Sequence, residues 1–146
     1  MSENIPRGIR NNNPGNIRLS SAKWQGQKKF QMDNAFVEFD DPVFGLRALM
    51  RLLLNYHQKY GLDTVESIIN RYAPPFENAT DGYIHHVCRI LRVGRREKIA
   101  VAEKYILISL TRAICRHENG RPPKNTPKDW YHDAVFEHAA QLVLKG

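Results

Sequence analysis

The chain has little with which to staple, anchor or divide itself. Its two cysteines, Cys88 and Cys115, can form at most one bridge, and both fall in segments of helical spacing. That pattern suits buried thiols in a reducing compartment and excludes a disulfide framework. No long apolar run exists: the longest nearly unbroken stretch, Tyr105 to Leu110, is far below the roughly 20 residues that span a bilayer, so no membrane insertion is expected. The opening MSENIPRGIRNNNPGNIR has no apolar core of a secretory leader, which predicts synthesis in a cytoplasm without a signal peptide. There is no low-complexity or Gly/Ser-rich tract at which to cut the chain, so residues 1–146 read as a single domain. Metal-ligand spacing is missing too. His85 and His86 diverge on a helix and His132 and His138 stand six apart, so no three-ligand face forms, and neither metal nor cofactor is expected.

What is present is an ordinary globular composition, 42% hydrophobic and 25% charged, with a formal charge of +7. The charge draws the protein toward polyanions, a class that includes nucleic acid, anionic membrane and the acidic bacterial cell wall. The basic turn Val93 to Lys98 is the best local candidate for nucleic acid, although a solvated loop is the commoner role of such a run, and nucleic acid is not the expected partner.

Residues 1–40 read as a shaped loop followed by a small β-lobe. Asn, Gly, Pro and Arg dominate the first eighteen residues, and the alternation Ala35, Phe36, Val37, Glu38, Phe39 predicts one or two short strands in a hairpin. Residues 41–146 read as a helical body. Asp41-Pro42 starts a helix that Gly61 closes, and Asp63-Thr64 starts a second that stops at Pro74-Pro75. Thr80-Asp81 caps a third, which ends before Gly94. A fourth, Glu97 to His117, is apolar on most sides and is expected at the centre, and Trp130 to Leu144 forms the last. The expected class is mainly α, of α+β type, with about five helices and an N-terminal β-hairpin lobe.

Three segments carry a resemblance to a known family. RGIRNNNPGNIR at Arg7 to Arg18 comes first, followed by W-x-G at Trp24 to Gly26 and GLRAL at Gly45 to Leu49, and then RYAPPFENATDGY at Arg71 to Tyr83. Together these resemble phage and prophage virion proteins, some lysozyme-like and some purely structural. In glucosaminidases and lytic transglycosylases of the lysozyme superfamily a helix ends in a catalytic Glu. An Asn-Asn glycine turn, a small β-lobe and a Tyr-Ala…Tyr helix start follow. Asn11 to Ile17 resembles the turn, and Tyr72-Ala73 with Tyr83 resembles the later element. No helix precedes the turn, where only Glu3 stands. LTRAICRHENG, Leu110 to Gly120, is similar to the helix that presents the catalytic Glu. The resemblance therefore implies a circularly permuted lysozyme-like α+β fold, with Glu118 in the groove between body and lobe. It further implies a muramidase or lytic transglycosylase acting on peptidoglycan glycan strands, made in the host cytoplasm and virion-associated or released at lysis. Other virion proteins are implied as partners. The alternative is a non-catalytic virion structural or cell-wall-binding protein.

The residues themselves give competing roles. Glycosidic cleavage needs a carboxylic acid kept protonated near neutrality, which burial against apolar groups achieves. Glu118 ends an apolar helix and qualifies; its plain alternative, a solvent-facing Glu, meets the negative end of the helix dipole at a cost of roughly 0.3–1 kcal/mol. Glu38, on the polar face of the expected strand, is the alternative acid, against a solvated strand residue. Glu77 is a further candidate acid and substrate-binding residue, against a plain role before a helix start, where a negative charge is favourable without any ligand. A second carboxylate for hydrolysis must come from Asp33, Asp40 or Asp41, and none stands out, which favours a reaction that needs one acid. Amides both donate and accept, so Asn13, Asn16 and Asn78 are candidate sugar ligands, though Asx turns explain most loop asparagines. Trp24 and Tyr83 are candidate sugar-binding aromatics, against core packing.

Overall fold

The computed structural model describes residues 5–76 and 78–145. Among the described residues the elements are six helices, α1 (Arg7–Arg10), α2 (Pro42–Tyr60), α3 (Val65–Tyr72), α4 (Thr80–Leu91), α5 (Lys104–Asn119) and α6 (Asp133–Lys145). The protein is mainly α. The expected α+β class with a β-hairpin lobe is overturned: among the described residues there is no strand, only two isolated antiparallel bridges, Arg18 with Phe36 and Gln27 with Phe39.

The hairpin fails because side-chain amides occupy the carbonyls a ladder would need. Asn13 Nδ2 donates to both Ile17 O and Val37 O at 2.9 Å, Asn12 Nδ2 donates to Phe39 O at 3.0 Å, and Gln31 Nε2 donates to Glu38 O at 2.9 Å. Residues 35–39 also change partner midway, Val37 N donating to Ile17 O at 3.0 Å while Asp40 N donates to Gly26 O at 2.8 Å. A backbone so satisfied has no call for a continuous strand pair. Alternation still decides burial, since Val37 and Phe39 point into the core.

The helices follow their local signals closely where those signals are caps. Asp41 accepts from Val43 N at 3.0 Å with Pro42 at the first helical position, and Gly61 at φ 66 closes α2. Thr64 and Ser67 form a reciprocal capping box at the start of α3. Elsewhere the boundaries move. Thr80 does not cap α4 but begins it, its hydroxyl donating to Ala73 O and so tying α4 to the end of α3. The expected start of the fourth helix at Glu97 falls short, because Ile99 N donates to Asp63 O at 2.8 Å and Ile99 and Val101 are buried from a non-helical segment that turns before α5. Glu103, whose side chain accepts from Ile106 N at 2.9 Å, begins α5 instead.

Helix α5 is the centre, packing against α1, α2, α4 and α6, while α2 lies along α6 and α3 against α4. Leu46, Leu49, Leu53, Ile68, Ile84, Leu107, Leu110, Ile114 and Phe136 are fully or almost fully buried in one cluster that runs from Ile17 to Val143. At about 1.5–3 kcal/mol for each large apolar side chain removed from water, this cluster is what holds the N-terminal loops against the bundle. The loops dock closely. A Cβ on Gly45 would stand 1.9 Å from the Asn12 carbonyl oxygen, so α2 approaches the N-terminal turn where only hydrogen fits. No described helix is long and apolar enough to cross a membrane.

Candidate active site

Glu118 lies in the last turn of α5, just before Asn119 ends the helix. Its two carboxyl oxygens are held by groups from two other parts of the chain. Asn16 Nδ2 donates to Oε1 at 2.9 Å across 102 residues, and the Tyr83 hydroxyl donates to Oε2 at 2.9 Å from α4. Burial pushes the carboxyl above the usual range, and the two donors, which favour its charged form, oppose that shift. The C-terminal end of the α5 dipole also disfavours a negative charge there.

The positions of both donors follow from local structure. Asn16 adopts φ 52, a left-handed conformation that Asn tolerates, and this turns its amide back across the short helix α1 toward α5. Gly8 on α1 makes room: a Cβ there would be 2.7 Å from Asn16 Oδ1, 2.7 Å from Asn119 Oδ1 and 2.8 Å from Asn13 O. Asn119, buried, donates to Pro14 O at 2.7 Å and Cys115 O at 2.9 Å, fastening the N-terminal turn to the end of α5. Tyr83 is buried, and its ring stacks on His117 with centroids 3.7 Å apart at 21°. His117 in turn meets His86 Nδ1 to Nδ1 at 2.8 Å. Burial chiefly, then the neighbouring Glu118, pushes the Tyr83 phenol well up, so it stays a neutral donor.

Glu118 also lines an open groove of about 450 Å³. One wall is the N-terminal loop with Asn16, Arg18 and Phe36; the other is formed by Leu52 and Tyr56 of α2 and by Arg71, Tyr72 and Asn78 at and beyond the end of α3. Tyr72, whose hydroxyl donates to Gly15 O, clamps the two walls. A half-buried acid, amides, aromatics and guanidiniums facing one cleft suit a polar, ring-containing ligand.

Thus the structure brings Glu118, Asn16 and Asn78 together at the groove, with Tyr83 buried behind Glu118 and bonded to it. It does not bring the others there. Asn13 is fully buried, its amide spent on Ile17 and Val37 and its oxygen accepting from Ile17 N at 3.0 Å. Trp24 packs half-buried against the core. Glu38 lies by a separate hollow with Arg7, Arg10 and Asp33, where its Oε2 accepts from Met32 N and, at 2.9 Å, from Asp33 N. Glu77 and Glu3 fall outside the described residues. Asp33 is committed as well: Arg7, the amides of Phe36 and Ala35 and the Asn11 side chain hold it well below the usual carboxylate range. Asp41 caps α2 and Asp40 is exposed, so among the described residues Glu118 is the one carboxylate lining the groove.

Arg18, Phe36, Tyr56 and Arg71 also line the groove and were not foreseen. The two arginines bound the segments RGIRNNNPGNIR and RYAPPFENATDGY, which is the trace they leave in the sequence. The basic turn is occupied: Arg95 pairs with Glu66 at 2.7 Å and Asp81 at 2.8 Å, and Arg96 with Glu66 at 3.1 Å. Cys88 and Cys115 are free thiols, and burial pushes that of Cys115 up to about 12.

No family model matches the chain. Over 120 residues it is 42% identical to Protein P5 of Pseudoalteromonas phage PM2, a stretch covering 80% of this chain and 73% of that protein.

Proposed function

The chain belongs to the family of Protein P5 of Pseudoalteromonas phage PM2, and from that premise we propose that it is a virion-associated enzyme that cuts the glycan strand of bacterial peptidoglycan. Glu118 serves as general acid and base, in the manner of a lytic transglycosylase. The observation that carries this reading is the Glu118 carboxyl itself, raised by burial, gripped by Asn16 and Tyr83, and yet open to a groove. The resemblance to the lysozyme superfamily, read in circularly permuted order with the acid near the end of the chain, supports the same assignment.

The reaction follows from one acid. Protonated Glu118 gives its proton to the bridging oxygen as the C1–O bond to the leaving sugar breaks. The resulting carboxylate then accepts the proton of the C6 hydroxyl as that oxygen closes on C1, leaving a 1,6-anhydro end and consuming no water. An ionised carboxylate has about four acceptor positions, so the bonds from Asn16 and Tyr83 leave room for the proton in flight. Asn16 and Tyr83 orient the acid and limit how far burial raises it. Asn78, on the opposite wall, is placed to bond sugar hydroxyl or acetamido groups. The chemistry asks for neither metal nor cofactor.

The test is digestion of purified peptidoglycan with mass analysis of the products. Wild-type protein should release muropeptides with anhydro ends, and Glu118→Gln should release them about 10²–10⁴-fold more slowly. Reducing ends instead of anhydro ends would convert the reading to a hydrolase. Full activity in Glu118→Gln would sink it, and protein that sediments with walls yet releases nothing would leave a wall-binding virion component.

A further inference from the structure

Arg18 and Arg71 stand in the same groove as Glu118 but have no part in the acid's chemistry. Each guanidinium lies across an aromatic face. Arg71 is 4.0 Å from the Tyr60 ring centre and 5.4 Å from that of Tyr56, and Arg18 is 5.2 Å from that of Phe36. A guanidinium held over a ring by cation–π attraction keeps N–H donors free for a carboxylate, which it can take with two parallel hydrogen bonds. Elsewhere on the surface Arg7, Arg95, Arg112 and Arg116 are spent on neighbouring carboxylates. Among the described residues none pairs with Arg18 or Arg71.

From this we infer that Arg18 and Arg71 form a carboxylate-binding site in the groove, and that its ligand is the peptide stem carried by the glycan strand. The inference rests on the reading of the groove as a glycan site. Two observations set the ligand's shape. The Glu118 carboxyl oxygens are bonded by Asn16 and Tyr83, and among the described residues neither arginine pairs with them, so the arginines form a second polar group on the groove wall. Besides these the groove offers amide and apolar groups, Asn16, Ile17, Leu52 and Asn78. A fitting ligand is uncharged at the bond to be cut and carries carboxylates on a branch some way from it. A peptidoglycan strand has that form, an uncharged acetamido-sugar backbone with peptide branches bearing free carboxylates. A nucleic acid strand carries an anion at every residue and would need basic groups along the whole groove.

The experiment measures binding, so that it does not depend on catalysis. Glu118→Gln protein is titrated calorimetrically with a soluble disaccharide–tripeptide and with the same disaccharide whose lactyl carboxyl carries a simple amide in place of the peptide. The peptide-bearing fragment should bind about tenfold or more tightly, in keeping with a charge-assisted hydrogen-bonded pair. Adding Arg71→Gln or Arg18→Gln should erase most of that preference. Lys124→Gln, which removes one positive charge outside the groove, should leave it intact. Equal affinity for the two fragments, binding of neither, or a preference that survives both arginine changes would overturn the inference. So would short double-stranded DNA binding more tightly than the peptide-bearing fragment and losing affinity with the same arginines. Wild-type protein that releases no muropeptides while the peptide preference stands would defeat the catalytic reading alone.

Discussion

Gly8→Ala is the most searching test of the site's architecture, because it adds one methyl behind the groove lining and removes none of the proposed functional groups. The new Cβ would stand 2.7 Å from Asn16 Oδ1, 2.7 Å from Asn119 Oδ1 and 2.8 Å from Asn13 O, where ordinary contact requires at least 3.4 Å. Each neighbour must retreat by several tenths of an ångström. The Asn13 contact is with backbone and the Asn119 side chain makes two hydrogen bonds, so Asn16, with a single side-chain bond, is the group that gives way. Overpacking of this size destabilises by about 1–3 kcal/mol. For a chain of this length that lowers Tm by roughly 2–4 °C per kcal/mol. The site should respond as well. Glu118 loses a donor that favours its charged form, so its carboxyl rises further and the protonated acid persists to higher pH. The assay pairs thermal melting with the pH profile of wall digestion: Tm should fall, and the alkaline limb should move upward in Gly8→Ala and, by the same cause, in Asn16→Ala. A Gly8→Ala protein with wild-type Tm and an unmoved alkaline limb would refute the argument that α1 sets Asn16 against the acid.

Three further outcomes are expected. Because the folded state raises the Glu118 pKa, the stability linked to its proton is full below the unfolded value near 4.5 and is lost as pH rises through the folded one; Glu118→Gln should therefore gain on wild type between pH 4 and pH 7 in urea melts, and a constant difference would count against a buried acid. His86 and His117 are lowered, both mainly by burial, so they contribute stability above about pH 6.5 that is lost as pH falls through their folded values. Denaturation at pH 7.5 and pH 5 should show His86→Gln losing less than wild type over that interval, and an equal loss would mean that the pair does not titrate with folding. Leu49→Ala, at a fully buried position between α2 and the N-terminal turn, should cost about 2–5 kcal/mol by equilibrium unfolding, and a loss under 1 kcal/mol would show that the cluster around it is loosely packed.

The parts of this fold that were legible are those in which chemistry is local. Asp41-Pro42 and Gly61 bound α2 because a cap, a proline and a left-handed glycine act on residues beside them. Glu118 was legible for a related reason, since an apolar helical run that ends in Glu-Asn-Gly leaves an acid beside a core. Asn16 and Tyr83 were legible as an amide and an aromatic fit for a sugar, but not as partners of the Glu118 carboxyl, a contact made across the fold. The N-terminal lobe was misread because alternation of apolar residues reports which side faces the core but not which group satisfies each carbonyl. Asn12, Asn13 and Gln31 took the places of strand partners, and a single sequence does not distinguish those bonds from Asx turns. Glu97 to Glu103 failed in the same way: Ile99 and Val101 face inward at a spacing of two, but the tie from Ile99 N to Asp63 O is made 36 residues away. Arg18 and Arg71 carry no periodic signal at all, because stacking on Phe36, Tyr56 and Tyr60 is a tertiary contact.

The bond between Asn16 and Glu118 has a consequence for timing. When Asn16 has been polymerised, 102 residues remain to be added before Glu118 exists, a delay of about 5–20 s at ordinary rates of synthesis. Throughout that interval the N-terminal turn has no α5 to dock on. An acid site divided in this way comes into being only on a chain whose central helix is complete. A wall-cutting protein made inside its host would thus be inert during its own synthesis by the order of its residues alone.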